Sequence, residues 1–264
     1  MTRKQVKIVV KVGTSTLAHA TGRLNIQRIE ELCKVLSDLK NAGHEIILVS
    51  SGAIGMGVGK LNLAGRPDDM PSKQAAAAVG QCELMYTYDK LFTEYSHTVA
   101  QILITAPDIK EPAKKQNFHN TLERLLELHV LPIINENDTV STEEIVIGDN
   151  DTLSAEVAAS IQADLLIILS DIDGLYDADP RVDSHADLIR EVPEINENIM
   201  RLAGDKGSPL GTGGMITKLQ AAEIATTHGC DVVIANGKKP KILYQIVDGE
   251  KIGTRFLKVK SLNG

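Results

Sequence analysis

Short runs of β-branched and aliphatic residues alternate along the chain with longer segments in which apolar side chains recur every three or four positions. The apolar runs are VKIVVKVG (6–13), HEIILVSSG (44–52), HTVAQILIT (97–105), VLPIINEND (130–138), ADLLIILSD (163–171) and CDVVIANG (230–237). The helix-compatible segments between them cover residues 25–42, 73–95, 116–128, 152–162 and 215–228. Nearly continuous apolar strands joined by amphipathic helices are typical of a parallel sheet that is covered on both faces. The pattern therefore predicts an α/β fold, a three-layer α/β/α sandwich with a mainly parallel central sheet.

One region, residues 173–210, breaks this alternation. It is rich in Asp, Pro and Gly and holds short apolar pieces such as DLIREV (187–192). We predict an excursion that contains a hairpin, and long loops of this kind often serve as lids.

Composition and charge narrow the class of protein. The chain has 264 residues, of which 43% are hydrophobic and 24% charged, as in a globular protein. Its net charge of -7 argues against a partner that is a nucleic acid or a membrane surface. Three cysteines without CxxC spacing predict buried thiols in a reducing compartment. Since no apolar run approaches the ~18 residues of a membrane span and no signal peptide is evident, we expect a cytoplasmic location.

Candidate ligand-binding residues follow the predicted strands directly. In open parallel sheets, ligands bind beyond the carboxyl ends of the strands, where small residues let backbone N–H groups approach an anion. Each turn alone is explained as an ordinary loop, but several at one sheet edge favour a ligand site. These candidates are Lys11 with GTS (13–15), SSG (50–52), NEND (135–138), SD (170–171) and ANG (235–237).

Two further segments add charge to this edge. GDND (148–151) opens a predicted helix, and LGTGGMITK (210–218) places three glycines ahead of a helix that carries Lys218. The glycine-rich turns match neither GxGxxG nor GxxxxGK[ST], and the histidines lack metal-ligand spacing. Lysines combined with carboxylates and amides suit phosphoryl transfer, in which the protein supplies positive charge and Mg²⁺ bridges the phosphates.

Taken together, the motifs resemble those of the amino acid kinase family and, within it, of the glutamate 5-kinases. The resemblance extends in order from about residue 7 to residue 256. It implies one amino acid kinase domain over 1–264, with a glutamate-binding half of roughly 1–162 and an ATP-binding half of roughly 163–258. The C-terminal PUA domain of many members is expected to be absent. The motifs are VVKVGTS, VSSGAIGMG, SKQAAAAVGQ, INENDTV, GDNDTLSA, DIDGLYDADPR and LGTGGMITKLQAA.

The resemblance implies transfer of the γ-phosphoryl group of ATP, bound with Mg²⁺, to the side-chain carboxylate of L-glutamate. The products would be L-glutamyl 5-phosphate and ADP, in the first step of proline biosynthesis. Because a glutamate side chain, with a pKa of about 4.3, is already ionised at neutral pH, the reaction needs no general base. The resemblance further implies a homodimer or homotetramer and feedback inhibition by proline.

Site residues carried over from the resemblance fall into three groups. Lys11 and Lys218 would stabilise the transferring group, and Asp151 would orient both lysines. Ser51, Asp138 and Asn150 would bind glutamate, with Asp138 facing the α-ammonium group. No protein ligand to a metal is expected, since Mg²⁺ would be held mainly by the ATP phosphates. The ATP-binding residues would be Lys11, Ser170, Asp171, Thr212, Gly213, Gly214, Met215, Ile216, Thr217 and Lys218.

Two alternatives remain open at this point. One is another carboxylate kinase of the same fold, acting on aspartate or N-acetylglutamate. N-Acetylglutamate has no ammonium group, so Asp138 would have no positive charge of the substrate to bind in that case. The other is a non-catalytic nucleotide-binding sensor, although such a protein would not need Lys11, Asp151 and Lys218 together. A nucleoside-monophosphate kinase is disfavoured because the turns that directly follow the predicted strands contain no arginine for an acceptor phosphate.

Overall fold

The computed structural model describes residues 5–19, 23–140, 150–180, 182–204 and 213–259. Within these ranges the strands are β1 (Lys7–Val12), β2 (Glu45–Ser50), β3 (Val99–Ile104), β4 (Leu131–Glu136), β5 (Leu165–Ser170), β6 (Glu191–Val192), β7 (Asp231–Asn236) and β8 (Thr254–Phe256). The helices are α1 (Thr14–Leu17), α2 (Ile26–Asn41), α3 (Ala53–Lys60), α4 (Met70–Thr93), α5 (Ala106–Lys110), α6 (Pro112–Glu127), α7 (Asn150–Ser160), α8 (Glu197–Leu202), α9 (Gly213–Thr227) and α10 (Ile242–Val247).

The eight strands form one sheet in the order β3-β4-β2-β1-β5-β7-β8-β6. Neighbouring strands of this sheet run parallel, apart from β7 and β8, which pair antiparallel. The six predicted strands are all present, and the short strands β6 and β8 extend one edge. The predicted fold class is confirmed.

Two apolar layers cover the sheet, one on each face. Alternate residues of a strand point to opposite faces; thus Val9 packs in the layer formed with α6, α7 and α9, whereas Ile8 packs in the layer formed with α2, α4 and α10. Every residue of β4 and β5 is buried. This double coverage explains why the strands appear in the sequence as continuous apolar runs.

Helix α3 was not predicted, because its sequence AIGMGVGK resembles a glycine-rich turn. Its glycines instead allow the helix to pack closely against α4. A Cβ atom added to Gly57 would lie 1.8 Å from the carbonyl oxygen of Ala76, and one added to Gly80 would lie 1.7 Å from that of Ala53. The backbones of the two helices therefore touch, and only glycine fits at the contact points.

The excursion after β5 contains the predicted hairpin, as an antiparallel bridge between Tyr176 and Leu188. Strand β6 and helix α8 follow it, while residues 181 and 205–210 lie outside the described residues. A lid function stays a prediction.

The prediction that all three thiols are buried is wrong for Cys82. The three cysteines are free thiols, with Cys33 and Cys230 buried and Cys82 exposed on α4. Helix α4 presents this position to solvent while its other side packs in the core. Across the described part of the chain, we find no helix with both the length and the apolar character needed to cross a membrane.

Candidate active site

A buried cluster of three charged side chains lies at the carboxyl edge of the sheet. The Lys11 Nζ atom lies 2.6 Å from Asp151 Oδ1, and the Lys218 Nζ atom lies 3.0 Å from Asp151 Oδ2. The Asp151 side chain is 0% exposed, and the two lysine side chains are 4% and 8% exposed. These three side chains carry one net positive charge in a buried position, which is a favourable setting for an anionic ligand.

Three segments that are distant in sequence bring this cluster together. Lys11 lies in the central strand β1, where it is opposite Val49 of β2 and Ile168 of β5. Asp151 is the second residue of α7. Lys218 lies in α9, and its ammonium group donates a hydrogen bond to the carbonyl oxygen of Gly214, in the first turn of the same helix, at 2.9 Å.

Glycines keep space open beside both ammonium groups. A Cβ atom added to Gly13 would lie 3.4 Å from Lys11 Nζ, and one added to Gly214 would lie 3.7 Å from Lys218 Nζ. Helix α9 begins at Gly213, two residues earlier than predicted, so Gly213 and Gly214 belong to its first turn. Backbone N–H groups at a helix N-terminus, next to the two lysines, form an arrangement suited to phosphate.

A chain of buried amides lies beside the charged cluster. The Asn150 Nδ2 atom donates to Ser51 Oγ at 2.8 Å and to Asn135 Oδ1 at 2.9 Å. The Asn135 Nδ2 atom in turn donates to Gln81 Oε1 at 2.9 Å. The structure therefore brings the predicted residues Ser51 and Asn150 together. It joins to them Asn135, which the sequence singled out only as part of the NEND turn (135–138), and Gln81, to which sequence reasoning gave no role.

Asp138 lies in the turn after β4 and is half-buried. Burial raises the pKa of its carboxyl group above the ordinary value, and the positive charge of Arg66 opposes that shift. None of the described hydrogen bonds joins Asp138 directly to Ser51 or Asn150. Sequence reasoning also missed Arg66, because it follows α3 in a loop outside the motif turns.

The other predicted nucleotide-binding residues lie at two neighbouring points of the same edge. Ser170 Oγ donates to Asp171 Oδ1 at 3.1 Å, and the Asn236 amide donates to the Asp171 carbonyl at 3.4 Å, which joins the turns after β5 and β7.

In α9, the Thr217 hydroxyl lies 3.2 Å from Asp151 Oδ2. The side chains of Met215 and Ile216 are partly buried and pack against the apolar core. Thr212 lies outside the described residues.

Among the residues that the structure describes, His, Cys, Asp and Glu form no cluster of three or more that could hold a metal ion. Asp151 is an unsuitable lone ligand, since both of its oxygens contact ammonium groups.

Comparison with known proteins places this arrangement in a family. Residues 6–236 match the model of the amino acid kinase family. A glutamate 5-kinase of Clostridium perfringens is 53% identical over 258 residues, covering 96% of this chain and 96% of that protein. A glutamate 5-kinase of Clostridium acetobutylicum is 55% identical over 251 residues, covering 95% and 94%. The fold is similar to that of a carbamate kinase from Giardia lamblia bound to AMP-PNP, with a TM-score of 0.69, 19% identity, and coverage of 98% of this chain and 100% of that one. The chain belongs to the amino acid kinase family and, within it, to the glutamate 5-kinases.

Proposed function

We propose that this chain transfers the γ-phosphoryl group of ATP to the side-chain carboxylate of L-glutamate, forming L-glutamyl 5-phosphate and ADP in the first step of proline biosynthesis. The observation that carries the proposal is the buried pair of lysines on Asp151 beside the amide chain, in a protein 53% identical to a glutamate 5-kinase over nearly its whole length.

The central difficulty of this reaction is electrostatic. An ionised carboxylate must approach a polyanionic phosphate, so the site must offset the repulsion between them. Lys11 and Lys218 supply positive charge from two different elements of the fold. Asp151 holds both ammonium groups in place before substrates bind, so little reorganisation is needed at the moment of transfer.

The bond changes require no proton transfer. A side-chain carboxylate oxygen of glutamate attacks the γ-phosphorus, and the bond from that phosphorus to the β,γ-bridging oxygen breaks. The electron pair of the broken bond leaves with ADP. Because the attacking group is already ionised at neutral pH, this chemistry needs no general base.

The amide chain and Asp138 form the proposed glutamate subsite. Ser51 and Asn150 lie within 2.8 Å of each other and provide polar atoms for the amino acid end of the substrate. Asp138 provides a carboxylate for the α-ammonium group, and this role gives a reason for a half-buried negative charge.

The nucleotide is proposed to lie along the turns after β5 and the first turn of α9. Ser170, Asp171 and the segment 212–218 would contact it. Mg²⁺ would enter with ATP, because phosphate oxygens are the hard ligands that this ion prefers. The division into a glutamate-binding half (1–162) and an ATP-binding half (163–258), the cytoplasmic location, assembly as a homodimer or homotetramer, and inhibition by proline belong to the same proposal and rest on family membership.

The test is a substrate panel. Purified protein with MgATP should release ADP with L-glutamate far faster than with L-aspartate or N-acetyl-L-glutamate. Added hydroxylamine should trap the acyl phosphate as a γ-hydroxamate. If ADP release did not depend on L-glutamate, the proposed function would be wrong, and a preference for one of the other acids would identify a related carboxylate kinase.

A further inference from the structure

We propose that Gln81 is a positioning residue: by accepting a hydrogen bond from Asn135, it holds the amide chain in the orientation that presents particular atoms of Asn150 and Ser51 to the amino acid substrate. The inference rests on the proposed function and deepens it, because it concerns how the site distinguishes the ammonium end of the substrate from its carboxylates.

A backbone group sets the direction of the amide chain. The N–H of Glu136 donates to Asn135 at 2.9 Å, and since a backbone N–H can only donate, the Asn135 atom at that position must be its oxygen. The same oxygen lies 2.9 Å from the Asn150 amide, so the Asn150 atom there must be Nδ2. Nδ2 of Asn135 then faces Gln81, and because Nδ2 can only donate, the Gln81 atom 2.9 Å away must be the acceptor Oε1.

This direction determines what the substrate meets. Both hydrogens of Asn150 Nδ2 are committed, one to Asn135 and one to Ser51. The atom that Asn150 can offer a ligand is therefore Oδ1, an acceptor suited to an ammonium group. Ser51 accepts from Asn150, which leaves its own hydroxyl hydrogen to donate to a carboxylate.

Gln81 can act in this way because the backbone holds it tightly. It follows Gly80, the residue at which α4 touches the Ala53 carbonyl of α3, and it is only 8% exposed. Helix α3 begins two residues after Ser51. Gln81 and Ser51 are thus held at the two sides of one rigid helix contact.

The experiment compares Gln81→Met with Gln116→Met. Methionine has nearly the length of glutamine but removes the acceptor for Asn135. Gln116 undergoes the same chemical change at an exposed position on α6. For each protein one measures the KM for L-glutamate, the KM for MgATP, and the inhibition constant of glutarate, which is glutamate without its ammonium group.

An unsatisfied buried amide costs enough to shift binding by about tenfold or more. We therefore expect the KM for L-glutamate to rise about tenfold in Gln81→Met. The KM for MgATP should stay within about twofold of wild type, and the inhibition constant of glutarate should rise by less than the KM for L-glutamate, because glutarate has no ammonium group to lose from Asn150. Gln116→Met should match wild type throughout. Equal losses for glutamate and glutarate would indicate a general structural role and overturn the proposal, as would an unchanged KM for glutamate.

A measurement on the wild-type protein covers the case in which Gln81→Met fails to fold. Nitrogen-15 NMR should find both side-chain amide protons of Asn150 protected from exchange with water. Rapid exchange of both would overturn the assigned direction. This readout does not depend on turnover, so an absence of glutamate-dependent ADP release would refute the proposed function separately.

Discussion

Replacing Asp151 by asparagine tests whether the buried carboxylate organises the two lysines. The substitution keeps the shape of the side chain and removes the negative charge that both ammonium groups contact, at 2.6 and 3.0 Å. Removing one partner from a buried ion pair costs about 3–5 kcal/mol of the free energy of unfolding. For a chain of this size, roughly 2–4 °C of melting temperature correspond to 1 kcal/mol. We therefore expect the melting temperature of Asp151→Asn to fall by roughly 6–20 °C.

The matched control is Glu127→Gln, the same chemical change in an exposed pair. Arg124 and Glu127 lie 2.7 Å apart with side chains 68% and 61% exposed, and such surface pairs contribute about 0–1 kcal/mol. Because the chain contains no tryptophan, circular dichroism at 222 nm is a suitable probe of unfolding. If Asp151→Asn were destabilised no more than Glu127→Gln, the reasoning about the buried charge cluster would fail. A second readout is ATP, which should raise the melting temperature of Asp151→Asn more than that of wild type, because the phosphates replace the missing negative charge.

Three further predictions concern single side chains. Lys218→Ala should lower kcat by on the order of 10²–10³, as for the loss of one preorganised charge-stabilising donor; a change confined to KM in steady-state kinetics would contradict this. Asp138→Asn should raise the KM for glutamate and also raise the melting temperature at pH 7. The reason is that burial disfavours the ionised carboxylate and so raises its pKa. Above that pKa the ionised group destabilises the folded protein, and asparagine removes this cost. In a pH series the stability gain should fade as the pH falls through the raised pKa toward the ordinary value of about 3.9, and a gain independent of pH would refute the assignment. In native protein, a thiol reagent should modify Cys82 first, because burial protects the other two thiols and raises their pKa. Mass spectrometry follows the labelling over time, and labelling of all three cysteines at the same rate would contradict this prediction.

The sheet could be predicted because its strands are buried on both faces. Continuous apolar runs such as LLIIL (165–169) leave few other interpretations when turns and helices bound them. Helix α3 could not be predicted in the same way. Its glycines at 55, 57 and 59 lower helix propensity, and what stabilises it is contact with Gly80, more than twenty residues away, which no local pattern encodes.

The charged cluster was predicted in part. The rule that ligands bind at the carboxyl edge of parallel strands selected Lys11, and the segments GDND (148–151) and LGTGGMITK (210–218) supplied Asp151 and Lys218, whose roles came from the family resemblance. The direct contacts among the three depend on α7 packing against β1 and on α9 packing against α7, which only the folded chain shows.

The amide chain was beyond sequence reasoning for a different reason. Asn135 belongs to a motif, but its role in the site depends on the direction of its hydrogen bonds. Gln81 ends the segment SKQAAAAVGQ (72–81) of α4, in which Lys73 is the one charged residue. Hydrogen-bond direction is a property of the packed structure.

The central place of β1 has a consequence for how the protein is made. This strand precedes the others in the chain, and its β2 side can pair early, but its other side must await β5; the Lys7 N–H and the Asp164 carboxylate that receives it are 157 residues apart. At about 5–20 residues per second, synthesis from β2 to β5 takes roughly 6–24 s. During that time an apolar strand edge stays open to pairing with other chains. A nascent chain that stalls before β5 should therefore be prone to aggregation. The strand that bears Lys11 is protected from pairing with other chains only after β5 has been synthesised and has paired with it.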